Sequence, residues 1–276
     1  MQHGTKIELL RHILKEMSSV LVAYSGGVDS TFLAVIANEE LGSRAHAVFV
    51  SGCIFPENEH IVAKKTAQEL GLSHQIIELD FLQNPDFCSN PPDRCYHCRM
   101  TIFDKLKNIA IEKDLKWIID GTNYDDLADY RPGLKAAKES GVRSPLIEAK
   151  LTKKEIRSLS KHIGLKNWNK PASPCLASRI PYNTAIKRET LQLIDNGEKF
   201  MHSLGFNQLR LRHHGDIARI EVDEQEMYLL LKNEVRQKIV QEFKAMGYKY
   251  ITLDLTGYCT GSLNIGLNDT MIEVKR

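Results

Sequence analysis

The residues with the clearest chemistry are the run Tyr24-Ser-Gly-Gly-Val-Asp-Ser30 and the thiols Cys95, Cys98 and Cys175. A glycine pair lets the backbone approach a ligand closely and turn its amides outward. The hydroxyls of Ser25 and Ser30 can donate to phosphate oxygens. The run stands between the apolar stretch Val20–Tyr24 and a helical stretch that begins at Ser30. The positive end of that helix therefore adds to an anion cradle made by Ser25, Gly26, Gly27 and Ser30. Asp29 would repel a phosphate directly, so its expected role is to cap the helix or hold Mg²⁺. No lysine of the Walker type follows the glycines and there is no G-x-G-x-x-G, so neither a P-loop nucleotidase nor a Rossmann dehydrogenase is indicated.

Cys95-x-x-Cys98 is the only close pair among the six cysteines, and Cys175 follows far downstream. A chain of this size without a secretory start does not use six cysteines as a disulfide framework. Three converging thiolates could hold a [4Fe–4S] cluster and leave one iron open. A zinc site that recruits His97 or Cys88, and buried inert thiols, fit the same spacing. Arg94, Arg99 and Arg179 lie near the thiols in sequence and would favour thiolate.

Asp125, Asp126 and Asp129 follow a predicted strand, where carboxylates could bind Mg²⁺ between phosphates or simply cap a solvated loop. Arg131 has a fork suited to a carboxylate or a phosphate. Arg210 and Arg212 share one face of a predicted strand. Two adjacent guanidiniums imply an anion between them, or pairing with Glu221 or Glu224 across a hairpin. The basic stretch Lys150, Lys153, Lys154, Arg157 and Lys161 reads as a solvated helix face, and His213 and His214 read as surface residues.

The elements that must position these groups alternate. The periodicity predicts a helix over 5–17 with Ile7, Leu10, Leu14 and Met17 on one face. Strands over 20–24, 46–50, 74–79 and 116–120 are separated by helices over 30–40, 56–70 and 101–113, with 93–99 preceding the last of these. Such alternation implies a parallel sheet covered on both faces, with ligands beyond the carboxyl ends of its strands. Thr152-x-x-Glu155 is a capping box. The expected organisation is a nucleotide-binding α/β domain over 1–168, a functional connecting segment over 169–184, and a smaller α+β domain over 185–276 that serves substrate binding or oligomerisation. With 276 residues, 42% hydrophobic and 26% charged, the chain has the composition of an ordinary globular protein. A net charge of +2 is too balanced for a protein whose main business is a polynucleotide backbone. No apolar run approaches the ~20 residues of a membrane span, and the start lacks a signal peptide's apolar stretch, so a cytoplasmic protein is expected.

The glycine run resembles the PP-loop of the ATP pyrophosphatase superfamily. Several blocks extend the likeness over nearly the whole chain: the helix Pro56–Gly71, D-R-C-Y-H-C at 93–98, G-T-N-Y-D-D-L-A-D-Y-R-P-G at 121–133, P-A-S-P-C-L-A-S-R-I-P-Y at 171–182 and R-L-R-H-H-G-D-I-A-R-I-E-V at 210–222. Together they resemble the LarE family, ATP-dependent sulfur transferases that make the nickel-pincer nucleotide cofactor of lactate racemase. The sequence departs from the family's usual text at Cys259, where a basic residue is expected.

The resemblance implies an adenine nucleotide α-hydrolase-like fold and a pyridinium-3,5-biscarboxylic acid mononucleotide substrate. Each carboxylate would be adenylated by ATP and then attacked by sulfur. It implies ATP and Mg²⁺ at Ser25, Gly26, Gly27, Asp29 and Ser30, with Val50 and Gly121 bordering the nucleoside and Asp125 and Asp129 as further Mg²⁺ candidates. Arg131, Arg179, Arg210 and Arg212 would bind substrate. Cys175 would supply sulfur, either sacrificially or through an iron–sulfur cluster shared with Cys95 and Cys98; the presence of all three resembles the cluster version. The expected partners are a small-molecule nucleotide substrate, sulfide or a sulfur-donor protein, and further copies of the chain in a homo-oligomer, without nucleic acid or membrane. A PP-loop tRNA thiolase and an amide ligase resembling NAD synthetase are the competing readings.

Overall fold

The computed structural model describes residues 2–128, 131–259 and 263. The chain divides into two compact units, Met1–Phe81 with Asp93–Ser173, and Leu82–Pro92 with Pro174–Arg276. Along the chain run α1 (Gln2–Met17), β1 (Val20–Tyr24), α2 (Val28–Leu41), β2 (Ala45–Ser51), α3 (Glu57–Glu69) and β3 (His74–Glu78). A short α4 (Pro85–Cys88) belongs to the second unit, and α5 (Arg94–Glu112), β4 (Trp117–Asp120), α6 (Pro132–Glu139), α7 (Pro145–Glu148) and α8 (Lys153–His162) complete the first.

The first unit is built on a four-stranded parallel sheet in the order β3-β2-β1-β4. Its inner strands are continuous apolar runs because helices cover both faces. The α1 face expected from the periodicity is present: Leu10, Leu14 and Met17 are buried in one core with Phe32, Leu33, Ile36 and Ile119. Each large apolar side chain so buried contributes about 1.5–3 kcal/mol. α8 opens with the expected capping box, Thr152 accepting from the Glu155 amide and Glu155 accepting from the Thr152 amide.

The helix predicted from Thr101 begins seven residues earlier, at Arg94, so Cys95 and Cys98 lie in its first two turns rather than in a preceding loop. The polar stretch 83–93 also holds a helix, α4, opened by the Asn84 side chain, which accepts from the amides of Asp86 and Phe87. At α4 the capping residue is legible, and in both places the run is too polar to show a periodicity.

The second unit adds a 3₁₀ turn over Leu176–Arg179, α9 (Arg188–Ser203), β5 (Leu209–His214), β6 (Ile217–Val222), α10 (Met227–Leu231), α11 (Asn233–Ala245) and β7 (Tyr250–Leu253). Its sheet is mixed: β5 and β6 are antiparallel, and β6 and β7 parallel. Leu209 and Leu211 point into a core with Phe206, Phe243 and Tyr248, which leaves Arg210 and Arg212 on the opposite face. The segment 82–92 is stitched into this unit by Asn90, whose amide nitrogen donates to the carbonyls of Pro181 and Thr184 at 2.9 and 3.0 Å. Ile186 donates its backbone N–H to Cys88 at 2.8 Å. The chain thus holds a helix-covered parallel-sheet unit and a smaller mixed-sheet unit. Among the described residues no helix is long and apolar enough to cross a membrane.

Candidate active site

The glycine run turns at the carboxyl end of β1. Gly26 has a φ of +70°, a backbone that L side chains rarely adopt, and a Cβ there would lie 2.8 Å from the Ala63 Cβ of α3. Gly121, just after β4, approaches α2 so closely that a Cβ would lie 2.8 Å from the Ser30 amide nitrogen. Gly121 and the loop therefore lie at one edge of the sheet, as expected, and Val50 is the penultimate residue of β2 beside them.

Within the loop, the hydroxyls of Ser25 and Ser30 are 2.9 Å apart, and the Ser25 amide donates to Ser30 Oγ at 3.1 Å. Gly27 is the N-cap of α2, and no side chain caps it. Its own N–H reaches only Ser25 Oγ, at 3.4 Å. The first turn of a fourteen-residue helix thus begins without a side-chain cap, and such a terminus with outward amides is an anion site.

Asp29 is held in a tight ion pair with Lys153 at the start of α8. Its other oxygen, Oδ1, is buried with no hydrogen-bond partner. Burial pushes this carboxyl above the ordinary aspartate value, the Lys153 charge opposes that shift, and the Asp126 charge adds to it. A buried, unsatisfied carboxylate oxygen beside a phosphate cradle fits Mg²⁺, which takes one or two carboxylates and completes its shell with phosphates and water.

The other acids are differently engaged. Asp125 accepts from the Lys153 backbone N–H at 2.8 Å, so it sits on the positive end of α8. Asp126 accepts from the Asn123 N–H at 2.9 Å and pairs with Arg131 at 2.8 Å. Asp129 lies outside the described residues.

Lys153 and Asn167 carry contacts to the loop that the sequence reading missed. Lys153 reads as one cation among several on a solvated face. The signal was its place: a lysine in the first turn of a helix opposes the helix dipole, so it serves something other than its own helix. Asn167 donates to the Gly26 carbonyl at 3.4 Å and to Thr31 Oγ1 at 2.9 Å.

In the first two turns of α5, Cys95 is exposed and Cys98 half-buried. Arg99, next along the helix, reaches Asp120, whose Oδ2 it meets at 2.7 Å. An iron–sulfur cluster is expected on Cys95, Cys98 and Cys175; among the described residues no group of three His, Cys, Asp or Glu side chains is gathered so as to hold a metal ion.

In the second unit Cys175 is the N-cap of the 3₁₀ turn Leu176–Arg179 and is partly exposed. Two buried ion pairs fix that turn. Arg179 lays its fork on Glu198 at 3.0 and 2.8 Å, and its remaining nitrogen donates to the carbonyls of Pro174 and Cys175 at 2.7 and 3.0 Å. Arg212 lays its fork on Glu221 at 2.9 and 2.8 Å and donates to the Ser178 carbonyl at 2.8 Å. The pairing of Arg212 with Glu221 is the hairpin alternative weighed from the sequence.

Arg210 stacks on the Tyr258 ring, 4.9 Å from its centroid, and its pKa is lowered by burial and then by the nearby Arg179 charge. Cys259, next to that tyrosine, is exposed.

Residues 6–84 match the family model described as NAD synthase. A protein of Synechocystis, slr1717, is 42% identical over 261 residues, which span 94% of this chain and 97% of that one. The pyridinium-3,5-bisthiocarboxylic acid mononucleotide synthase of Lactiplantibacillus plantarum is 37% identical over 264 residues, 95% of this chain and 94% of its own. The glutamine-hydrolysing GMP synthase of Aeropyrum pernix is 28% identical over 68% of this chain and 40% of its own.

Proposed function

The chain belongs to the PP-loop ATP pyrophosphatase superfamily, in the family of the Lactiplantibacillus plantarum synthase, and we propose that it converts carboxylates of pyridinium-3,5-biscarboxylic acid mononucleotide to thiocarboxylates. The likeness to that synthase over nearly the full length of both chains carries the reading. The loop supports its first half.

A carboxylate is a poor acyl donor because its oxygen is a poor leaving group. In the proposed first step a substrate carboxylate oxygen attacks the α-phosphorus of ATP, the bond to the β-phosphate oxygen breaks, and pyrophosphate leaves. The amides of Gly27 and the first turn of α2, with the hydroxyls of Ser25 and Ser30, hold the charge that builds on it. Asp29 would hold Mg²⁺, which would supply charge neutralisation at the phosphates. Lys153 then gains phosphate oxygens as partners in place of Asp29 alone. Val50 and Gly121 border the nucleoside.

In the second step the Cys175 thiolate attacks the acyl adenylate carbon and AMP leaves with its bonding pair. Release of the thiocarboxylate requires that a base take the Cys175 Cα proton while the Cβ–Sγ bond breaks, which leaves dehydroalanine. Arg179 and Arg212 hold the turn that carries the thiol. Arg131 and Arg210 are the cations proposed to meet the substrate's carboxylate and phosphate groups. The chain would act as a cytoplasmic homo-oligomer on a small nucleotide, with sulfide or a sulfur-donor protein as the source of further turnover.

The test is a mixture of protein, ATP, Mg²⁺ and the biscarboxylic mononucleotide. Pyrophosphate release that depends on the mononucleotide, with a thiocarboxylate product by mass, supports the reading. The family-model match keeps an amide ligase as the competitor: formation of an amide with ammonia, and no thiocarboxylate, would replace this function with that one.

A further inference from the structure

Asn167 lies beyond the end of α8, in a turn that the loop chemistry does not use directly. Its neighbours tie that turn down. Lys161 of α8 packs over the Trp168 ring at 4.7 Å, and Lys170 pairs with Glu59 of α3 at 2.7 Å. From this anchored position the Asn167 amide nitrogen reaches the Gly26 carbonyl at 3.4 Å and Thr31 Oγ1 at 2.9 Å. Its oxygen, Oδ1, is buried without a hydrogen-bond partner.

The unsatisfied oxygen shows which bond the amide serves. Turned over, the amide could accept from the Thr31 hydroxyl, but an oxygen would then face the Gly26 carbonyl. The arrangement keeps a donor on Gly26 and leaves Oδ1 alone. A peptide unit is planar and trans, so its C=O and the following N–H point in opposite directions. A donor that holds the Gly26 carbonyl on one side therefore aims the Gly27 N–H to the other. That N–H has only the long contact to Ser25 Oγ. On the opposite flank, the Ala63 Cβ lies 2.8 Å from where a Gly26 Cβ would be, and Tyr24 Oη donates to the Ala63 carbonyl at 3.3 Å. The Gly26–Gly27 peptide is thus set between α3 and Asn167.

We propose that Asn167 is a positioning residue for ATP, orienting the Gly26–Gly27 peptide so that the Gly27 N–H is presented to the phosphates. This rests on the reading of the glycine run as the phosphate cradle. Asn167 touches no phosphate itself. It acts before ATP arrives, by removing the alternative orientation of a peptide between two glycines.

The experiment is Mg·ATP binding by calorimetry to the full chain at pH 8, with wild type, Asn167→Asp and Asn167→Ala. The aspartate sets a charge against the Gly26 carbonyl, and the alanine removes the donor without adding a charge. The expected result is an affinity roughly tenfold or more below wild type in both variants. In pyrophosphate release both variants should raise the KM for ATP while kcat at saturating ATP stays near wild type. Equal ATP affinity in either variant, or a fall in kcat with KM unchanged, overturns the proposal. Failure of wild type to bind Mg·ATP overturns the cradle reading itself, and this proposal with it.

Discussion

Arg179 and Glu198 meet fork to fork at 3.0 and 2.8 Å, and both side chains are almost wholly buried. The arginine also holds the carbonyls on either side of the Pro174–Cys175 bond. The pair therefore links the core helix α9 to the backbone that presents the candidate nucleophile. Removing one partner of such a pair leaves a buried charge uncompensated, at about 3–5 kcal/mol. Glu198→Gln and Arg179→Met should each lower the unfolding free energy read from urea titration by that much. The double variant should recover part of the loss, and a strictly additive double variant would show that the two residues are not coupled.

Asp29 trades stability for ligand. Its pKa is raised in the folded protein, so the native state binds its proton more tightly than the unfolded chain. The sign follows by linkage: stability from this group is fully present below the unfolded value and falls as pH rises through the raised folded value. At pH 8 the ionised group thus opposes folding. Asp29→Asn should melt at a higher temperature than wild type at pH 8 without ligand, yet lose Mg·ATP binding. Scanning calorimetry with and without Mg·ATP reads both effects, and a lower melting temperature would contradict the shift.

Cys175→Ala should abolish thiocarboxylate formation and leave mononucleotide-dependent pyrophosphate release largely intact. In wild type, intact mass after one turnover should fall by the mass of hydrogen sulfide if the cysteine is consumed. Unchanged mass together with iron and acid-labile sulfide in anaerobically purified protein would move the sulfur source from the side chain to a cluster.

His46 is buried on β2, with Nδ1 against Ser73 Oγ at 2.7 Å and Nε2 buried without a partner. Burial, then the Lys113 charge, pushes its pKa below the ordinary value of 6.5. A depressed histidine is neutral in the fold and charges on unfolding, so stability is lost as pH falls from 6.5 through the folded value. His213 and His214 shift the same way, so the test is a difference: His46→Gln should flatten the fall in melting temperature between about pH 6.5 and 5 relative to wild type.

Gly121→Ala should spare the fold more than the function. The added methyl meets the Ser30 backbone, which cannot yield without moving the first turn of α2. Weaker ATP binding with a modest drop in melting temperature is expected, and unchanged ATP affinity would argue against the close approach.

The parallel sheet was legible because three of its strands hold short apolar runs followed within two residues by a glycine, and the loop because Ser25–Ser30 sits between such a run and a helix. The capping box at Thr152 fixed the start of α8. What stayed hidden depends on contacts remote in sequence. Lys153 meets Asp29 across 124 positions, and Asn167 meets Gly26 across 141. No local pattern signals either, although a lysine at the wrong end of a helix dipole is a hint. Arg179 and Arg212 were legible as charged residues near chemistry, but their glutamate partners follow from register and burial that spacing alone does not give. The start of α5 was obscured because Arg94–Met100 is too polar to show a hydrophobic period.

The second unit takes residues 82–92 from the middle of the first, and Asn90 from that excursion fastens the stretch around Pro181 and Thr184. A fragment beginning near residue 174 lacks the Asn90 amide that holds the carbonyls of Pro181 and Thr184. On the ribosome, the excursion must wait for about 90 further residues before its partners emerge.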